Sequence, residues 1–441
     1  MLELGPVWLT IILFGSLMIL LFLGLPLVFS LGGVATLFTI FIWGPKALAV
    51  LANRTYMVMD MFVLVAVPMF IFMGAMLQRS GIAEDLYHMM YHWMGGLRGG
   101  LAAGTVLICT LFAAMVGISG AATTSMGLLA LPSMLKRGYN KEIAIGCISA
   151  GGALGILIPP SVLMIVLALF ARLSVGKLFI GGVFPGILLS ALFIAYILIR
   201  SYLQKDLAPG VPREERLPTR QKLMLFPGLI LPIALIITVM GSIFFGFATP
   251  SEASAIGAFG AIISAAIKKR LTWQNFVEAL FVCLRLSAMV IWIVLAASVF
   301  TALYAVTGAA DLIGSLLLNI GGGGWATIIM MQVIFFVMGC FFDPTGIVIL
   351  TTPIFFPVVV KLGFDPLWFG VLFVVNMEMA FLTPPFGFNL FYMKAVAPPG
   401  VTMADIYRSI IPFVMLQILG LIICMIFPQI ITWLPNLMLG E

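Results

Sequence analysis

The sequence predicts an all-α polytopic membrane protein built on an inverted internal repeat, with two re-entrant helical hairpins and two broken helices. Three observations lead there: an extreme apolar composition, a series of apolar runs of bilayer length, and prolines and glycines that recur at one offset. The chain has 441 residues, 63% hydrophobic and 9% charged, with a mean hydropathy of +1.23. Soluble folds carry about 25% charged residues, so this chain has no surface to offer water. That excludes a cytosolic enzyme, a disordered chain and a soluble coiled coil. One helical crossing needs ~20 apolar residues, which allows roughly 10–12 crossings. No alternating ten-residue pattern of an outer-membrane barrel is present.

The net charge of +6 sits in short loops between apolar runs, where it sets orientation rather than attracting nucleic acid. Val7 to Phe29 lacks a basic leader and an A-x-A site and follows Glu3, so it reads as a mature helix and not as a signal peptide. Cys109, Cys147, Cys283, Cys340 and Cys424 lie in apolar stretches without metal or disulfide spacing.

Apolar runs fall near 6–27, 28–44, 57–79, 100–116, 142–171, 178–200, 223–246, 252–267, 276–303, 325–341, 345–360, 366–393 and 409–434. A polar linker, 201–222, carries Lys205, Arg213, Arg216, Arg220 and Lys222, and Lys268-Lys269-Arg270 follows one hairpin later. Basic loops stay inside, so both are expected in the cytoplasm and the N-terminus in the periplasm. Residues 81–93 and 308–319 mix acids or histidines with Leu, Met and Tyr. Each reads as an amphipathic helix on the membrane surface.

Pro132, Lys136, Gly138, Pro159 and Pro160 recur as Pro357, Lys361, Gly363, Pro384 and Pro385, and 357−132, 361−136, 363−138, 384−159 and 385−160 all equal 225. The loop after Pro132 carries Lys136, Arg137 and Lys141 and is expected inside. From 142–171 to 276–303, both included, there are five runs, so the second unit is upside down relative to the first. Inverted repeats with helices broken at mid-membrane are the pattern of secondary transporters.

The broken segments carry the chemistry. In the first unit Gly117-Ile118-Ser119-Gly120-Ala121-Ala122-Thr123-Thr124-Ser125 interrupts an apolar run. Unwound backbone at membrane depth is tolerated where it lines a cavity, which fits a hairpin tip. The plainer reading is a small-residue packing face. The second unit places Cys340-Phe341-Phe342-Asp343-Pro344-Thr345 there, and 343−225 is Ile118. An intramembrane carboxylate is a functional candidate, and Asp before Pro is also a good helix cap. Pro159-Pro160-Ser161 and Thr383-Pro384-Pro385 cannot stay in straight helices. The carbonyls they free are hard ligands suited to Na⁺, and half-helix N-termini suit an anion. Asn376, Thr383 and Asn389 add side-chain oxygens. Glu378 is either a coordinating or proton-carrying group or an interface residue.

Thr249-Pro250-Ser251-Glu252 has capping-box spacing. His88 and His92 stand at i, i+4 with no third metal ligand evident. No nucleophile–base set, metalloprotease motif, Walker loop or dinucleotide fingerprint occurs, so the chain is expected not to be an enzyme and to need no cofactor.

GISGAATTSMGLLALPSMLKRGYNKEIAIGCISAGGALGILIPPS, FGFATPSEASA, FFDPTGIVILTTPIFFPVVVKLGFDPLWFGV and NMEMAFLTPPFGFNLF together resemble the large (M, or DctM-like) membrane subunit of tripartite ATP-independent periplasmic (TRAP) transporters. The resemblance covers almost the whole chain. It implies an elevator-type transporter of the bacterial inner membrane that takes up an organic acid by Na⁺ symport. A periplasmic binding protein delivers the acid, and a small four-helix membrane subunit belts the scaffold. Because the chain begins at Met1 without that subunit, a separate one is expected. The implied division is scaffold and first arm 1–97, transport half 98–175, scaffold, loop and second arm 176–320, transport half 321–397, and a C-terminal helix 398–441.

Carried over by position, the resemblance implies Na⁺ sites from Gly117, Ser119, Gly120, Gly152, Gly155 and Pro159, and from Cys340, Asp343, Thr345, Asn376, Thr383 and Pro384. It implies a substrate site from Ser119, Ala121, Thr123, Ser161, Thr345 and Asn389. A stand-alone elevator-type Na⁺/organic-anion symporter is the alternative.

Overall fold

Apolar runs punctuated by capping residues, glycine and proline give helices from end to end. The computed structural model describes residues 5–319, 321–385 and 387–438, and no strand occurs among them. Phe386, in the second break, lies outside the described residues, as does Glu3.

The first helices are α1 (Pro6–Phe22) and α2 (Leu27–Trp43). Next come α3 (Ala49–Met59) and α4 (Ala66–Gln78), whose axes diverge by 62° across a short break. The sequence reading ran residues 57–79 together and missed α3, because Asn53, Arg54 and Thr55 dilute its apolar signal. Helix α5 (Ile82–Met94) is the expected amphipathic segment. It leads into α6 (Gly100–Val116) and α7 (Ser119–Lys136), a helical hairpin.

The expected run 142–171 is two helices, α8 (Lys141–Ala153) and α9 (Val162–Ala171), split at the proline pair. Helix α10 (Val175–Leu203), the short α11 (Thr219–Leu223), α12 (Ile230–Phe244), α13 (Pro250–Ile267) and α14 (Trp273–Val306) follow. The second unit repeats the first: surface helix α15 (Ala309–Leu318), hairpin α16 (Gly323–Gly339) and α17 (Pro344–Lys361), then α18 (Pro366–Leu382) and α19 (Phe388–Val396). Helices α20 (Met403–Ile426) and α21 (Gln429–Thr432) close the chain. Both ends of α7 recur in α17 at one spacing, since 344−119 and 361−136 are 225.

Caps fix the helix starts. Thr249 and Glu252 form the expected capping box (Thr249 N to Glu252 Oε2, 2.8 Å), and Thr402 with Asp405 forms a second. Each such cap stabilises by about 1 kcal/mol. Helix contacts in lipid depend on close approach more than on apolar burial, because acyl chains are as apolar as leucine. Gly146 on α8 shows this: a Cβ there would stand 2.5 Å from the Ser409 carbonyl of α20. Around Phe335 the rings of Phe355, Phe369 and Phe373 lie 4.7–5.8 Å away, centroid to centroid.

Among the described residues six helices are long and apolar enough to cross a membrane, or seven with the α3–α4 region as one bent span. The basic loops gather at one end of the molecule. Asp85 pairs with Lys268, and Arg79 with Glu278 at 3.3 Å. The linker 201–222 is not a free loop. Asn140 N donates to Leu207 O (2.8 Å), Gly99 N to Ala208 O (2.9 Å) and Val211 N to Gly95 O (2.7 Å). Arg137 reaches Glu215 at 2.5 Å and lies over the Tyr91 ring at 5.1 Å. Its guanidinium holds the Glu215 carboxyl below the ordinary carboxylate range. Helix α14 runs from this end without a break for 34 residues, about 51 Å at 1.5 Å per residue. Helix α5 is tied beside its start by Asp85–Lys268, and α15 follows its last turn. The two amphipathic helices, and the hairpins that follow them, therefore begin at opposite ends of α14.

Candidate functional site: two breaks and the polar cluster between them

Helix α6 stops at Gly117, which adopts φ +65°, and Ile118 is extended before α7 starts at Ser119. A Cβ at residue 117 would overlap the carbonyl oxygen of Pro160, so only glycine lets the tip rest on the first break. The sequence reading spread the unwinding over the whole hydroxyl cluster. The structure confines it to Gly117 and Ile118, because the hydroxyls find acceptors without unwinding the helix. Thr124 Oγ1 donates to Gly120 O at 2.7 Å, within its own helix.

Ser119 and Thr123 donate across the molecule instead. Both hydroxyls reach Oδ1 of Asn389, at 2.9 and 2.7 Å. Asn389 Nδ2 in turn donates to Ser149 O on α8 at 2.6 Å. All three side chains are buried. Small residues on the first broken helix make room: a Cβ on Gly152 would overlap Thr123 Oγ1, and one on Gly155 would stand 3.0 Å from Ser119 N. Pro159 and Pro160 form a cis peptide, as do Pro384 and Pro385. Ser161 caps α9, with its Oγ donating to Ile156 O at 2.5 Å. Gly117, Ser119, Thr123, Gly152, Gly155, Ser161 and Asn389 thus meet at one place, with Pro159 in the turn beneath them. Gly120 and Ala121 continue the same tip without a polar side chain.

The second tip is organised differently. Helix α16 ends at Gly339, pressed against Ala380 of α18. Cys340 Sγ turns back to Phe336 O. Asp343 caps α17, accepting from Thr345 N at 2.9 Å, so the capping role foreseen for it is present. Asn376 donates to Gln332 O and Oε1 at 2.8 and 2.9 Å, while Asn376 Oδ1 and Gln332 Nε2 have no hydrogen-bond partner. Thr383 Oγ1 is satisfied by Met379 O at 2.7 Å, one turn before Pro384. Glu378, one turn before α18 ends at Leu382, is fully buried with both carboxyl oxygens unpartnered, so it is an interior group.

The polar cluster is one-sided. Stepping back 225 from Asn389 gives Met164, and stepping forward 225 from Ser119 and Thr123 gives Pro344 and Val348. Tyr392, which sequence reasoning missed, links the tips. A Cβ on Gly120 would stand 2.8 Å from its ring, and its hydroxyl lies within electrostatic reach of Asp343. One turn after Asn389, it shares that residue's helix, the only cue the sequence offered. His88 and His92 face each other at 4.7 Å on α5, and no group of three metal-ligating side chains occurs among the described residues. A cavity of about 760 Å³ is lined by Gly138, Asn140 and residues 203–207 of the loop end, and by no residue of either break.

The family described as "Tripartite ATP-independent periplasmic transporter, DctM component" matches residues 14–430. The C4-dicarboxylate TRAP transporter large permease protein DctM of Rhodobacter capsulatus is 32% identical, over 97% of this chain and 99% of that one. Its namesake from Pseudomonas aeruginosa is 32% identical over 92% and 93%. The sialic acid TRAP transporter large permease SiaM of Vibrio cholerae is 28% identical over 96% and 97%. An isethionate TRAP permease of Oleidesulfovibrio alaskensis, DctMQ, is longer, and the matched region covers 65% of it. Among solved structures, the YdaH transporter of Alcanivorax borkumensis shares the fold: TM-score 0.60, 14% identity, 87% of this chain and 90% of that one. With its apolar helices, hairpins and paired breaks, the chain is a multi-pass membrane protein and belongs to the DctM family of TRAP transporter large permeases, a family of solute transporters.

Proposed function

We propose that this chain is the large membrane subunit of a Na⁺-coupled TRAP transporter that imports a small organic anion by an elevator motion. It would sit in the bacterial inner membrane with the 201–222 loop in the cytoplasm and the N-terminus in the periplasm. A periplasmic binding protein hands over the anion, and a separate small four-helix subunit flanks the scaffold. The observation that carries this reading is the Ser119–Thr123–Asn389 cluster, which joins a hairpin tip of one unit to the break of the other. Helices α7 and α19, and α17 and α9, pack against each other in the same crossed manner. Residues 98–175 and 321–397 thereby move as one transport body, against a scaffold of 1–97 and 176–320 with 398–441.

The chemistry follows from the groups present. Carbonyls freed around Gly117, Gly152, Gly155 and Pro159, with Ser119 and Gly120, are hard oxygen donors for one Na⁺. Cys340, Asp343, Thr345, Asn376, Thr383 and Pro384 frame a second. The N-termini of α9 and α19 carry partial positive charge. With Ser119, Ala121, Thr123, Ser161, Thr345 and Asn389 they line an anion site. Na⁺ and anion affinities then rise together by one factor, because coupling is reciprocal. Relatives named for C4-dicarboxylates and sialic acid support an acid as cargo.

The test is reconstitution in liposomes with and without the binding protein and the small subunit. Uptake is expected only with all three components. Full-rate uptake by the chain alone would assign it to the stand-alone symporters instead.

A further inference from the structure

We propose that the groove between α2, α3 and the last two turns of α14 binds an anionic phospholipid, with one acyl chain along the groove and the phosphate headgroup at Arg54. The groove has a volume of about 240 Å³, and nearly all its walls are apolar, among them Trp43, Val50, Leu51, Val299 and Leu303. Arg54 stands in its wall and is exposed to the outside. Lys46, also exposed, sits next to the lining residue Ala47. Neither cation has an acidic partner among the described residues. Between Leu27 and Gln78 the one carboxylate is Asp60, and residues 279–306 of the facing helix contain none, the next being Asp311 on α15.

Charge and position select the ligand. The groove opens on the outer surface of a membrane-spanning protein, where acyl chains are the surrounding solvent. It flanks α14 at the end away from Lys268-Lys269-Arg270, so its mouth lies near one membrane face. The 62° turn between α3 and α4 keeps α3 from continuing the crossing of α4, and α3 presents Arg54 with the exposed Tyr56, Met57 and Met59. Trp43, in the groove wall, is 38% exposed, and indole rings favour the membrane–water interface. An amphiphile with an apolar tail and a net negative head satisfies both the walls and the unpaired cations. A zwitterionic lipid fills the groove but leaves the two positive charges uncompensated.

The experiment is native mass spectrometry of the full-length protein released from nanodiscs of equal phosphatidylglycerol and phosphatidylcholine with identical acyl chains. Wild type should retain phosphatidylglycerol in preference, by roughly fivefold per basic residue engaged. The double variant Lys46→Gln/Arg54→Gln should lose the preference while keeping its helical circular dichroism and melting temperature. Val50→Trp, which fills the groove and leaves both charges, should lose the retained lipid altogether. No headgroup preference in wild type, or an undiminished one in either variant, overturns the proposal. So does a double variant that sheds the small subunit but still retains phosphatidylglycerol, because the two cations then serve a protein partner.

Discussion

Thr123 donates a 2.7 Å hydrogen bond to Oδ1 of Asn389, 266 residues further along the chain. Ser119 shares the same acceptor, so one amide oxygen holds a hairpin tip of one unit against the broken helix of the other. Asn389→Ala leaves two buried hydroxyls without an acceptor, at a cost of about 1–3 kcal/mol. Thr123→Val removes a single donor and costs about 1 kcal/mol. Melting temperatures should fall in that order. Uptake by proteoliposomes should be lost in Asn389→Ala and reduced in Thr123→Val. Equal melting temperatures for both variants and wild type would remove the cluster from the account.

Glycine has a steric reason at residue 117 that it lacks at residue 138. Both adopt positive φ, +65° and +78°. A Cβ at 138 meets nothing within 4 Å, whereas one at 117 overlaps Pro160 O. Gly138→Ala should cost about 1–2 kcal/mol of left-handed strain and leave uptake intact. Gly117→Ala should cost more and abolish uptake, because the tip can no longer seat on the first break. Parallel melting and transport assays check the contrast.

Asp343 caps α17, and the sodium reading gives its charge a second role. Asparagine caps as well as aspartate, whereas alanine costs about 1 kcal/mol. Asp343→Asn should therefore melt with wild type while its half-saturating Na⁺ concentration rises. Asp343→Ala should show both defects. An unchanged Na⁺ dependence in both variants leaves Asp343 as a cap alone.

The Arg137–Glu215 pair ties the end of α7 to the 201–222 loop and makes that tie acid-sensitive. Arg137 lowers the Glu215 carboxyl below its ordinary 4.5. A depressed carboxylate stabilises the fold above that value, and the contribution disappears as pH falls through the folded-state value. Glu215→Gln should thus melt below wild type at pH 7, with the gap narrowing as pH falls below the ordinary 4.5 and through the lower folded-state value. Because the pair is exposed, salt should shrink the gap as well. A gap that stays constant however far the pH falls below 4.5 contradicts the assignment.

Much of this fold was legible because prolines and glycines mark helix breaks. The 225-residue offset read from Pro132, Pro159 and their mates reappears in the matched ends of α7 and α17. Gly117, Gly152 and Asn389 were legible as candidates, the two glycines for Na⁺ and Asn389 for substrate, because small and polar residues stand out in an apolar chain. Helix α3 was not, since Asn53, Arg54 and Thr55 break the hydropathy pattern without breaking the helix. The strap formed by the 201–222 loop was hidden because backbone hydrogen bonds such as Asn140 N to Leu207 O leave no side-chain signature. Tyr392 and the Gln332–Asn376 pair depend on which faces of distant helices meet, and one sequence does not state that.

The central claim is that the two breaks couple a sodium ion to an organic anion. Its most direct measurement is uptake of the binding-protein-delivered substrate into proteoliposomes with an imposed Na⁺ gradient, against an equal K⁺ gradient. The account predicts concentrative uptake with Na⁺ alone, abolished when the gradient is collapsed. Equal uptake under both cations would contradict it.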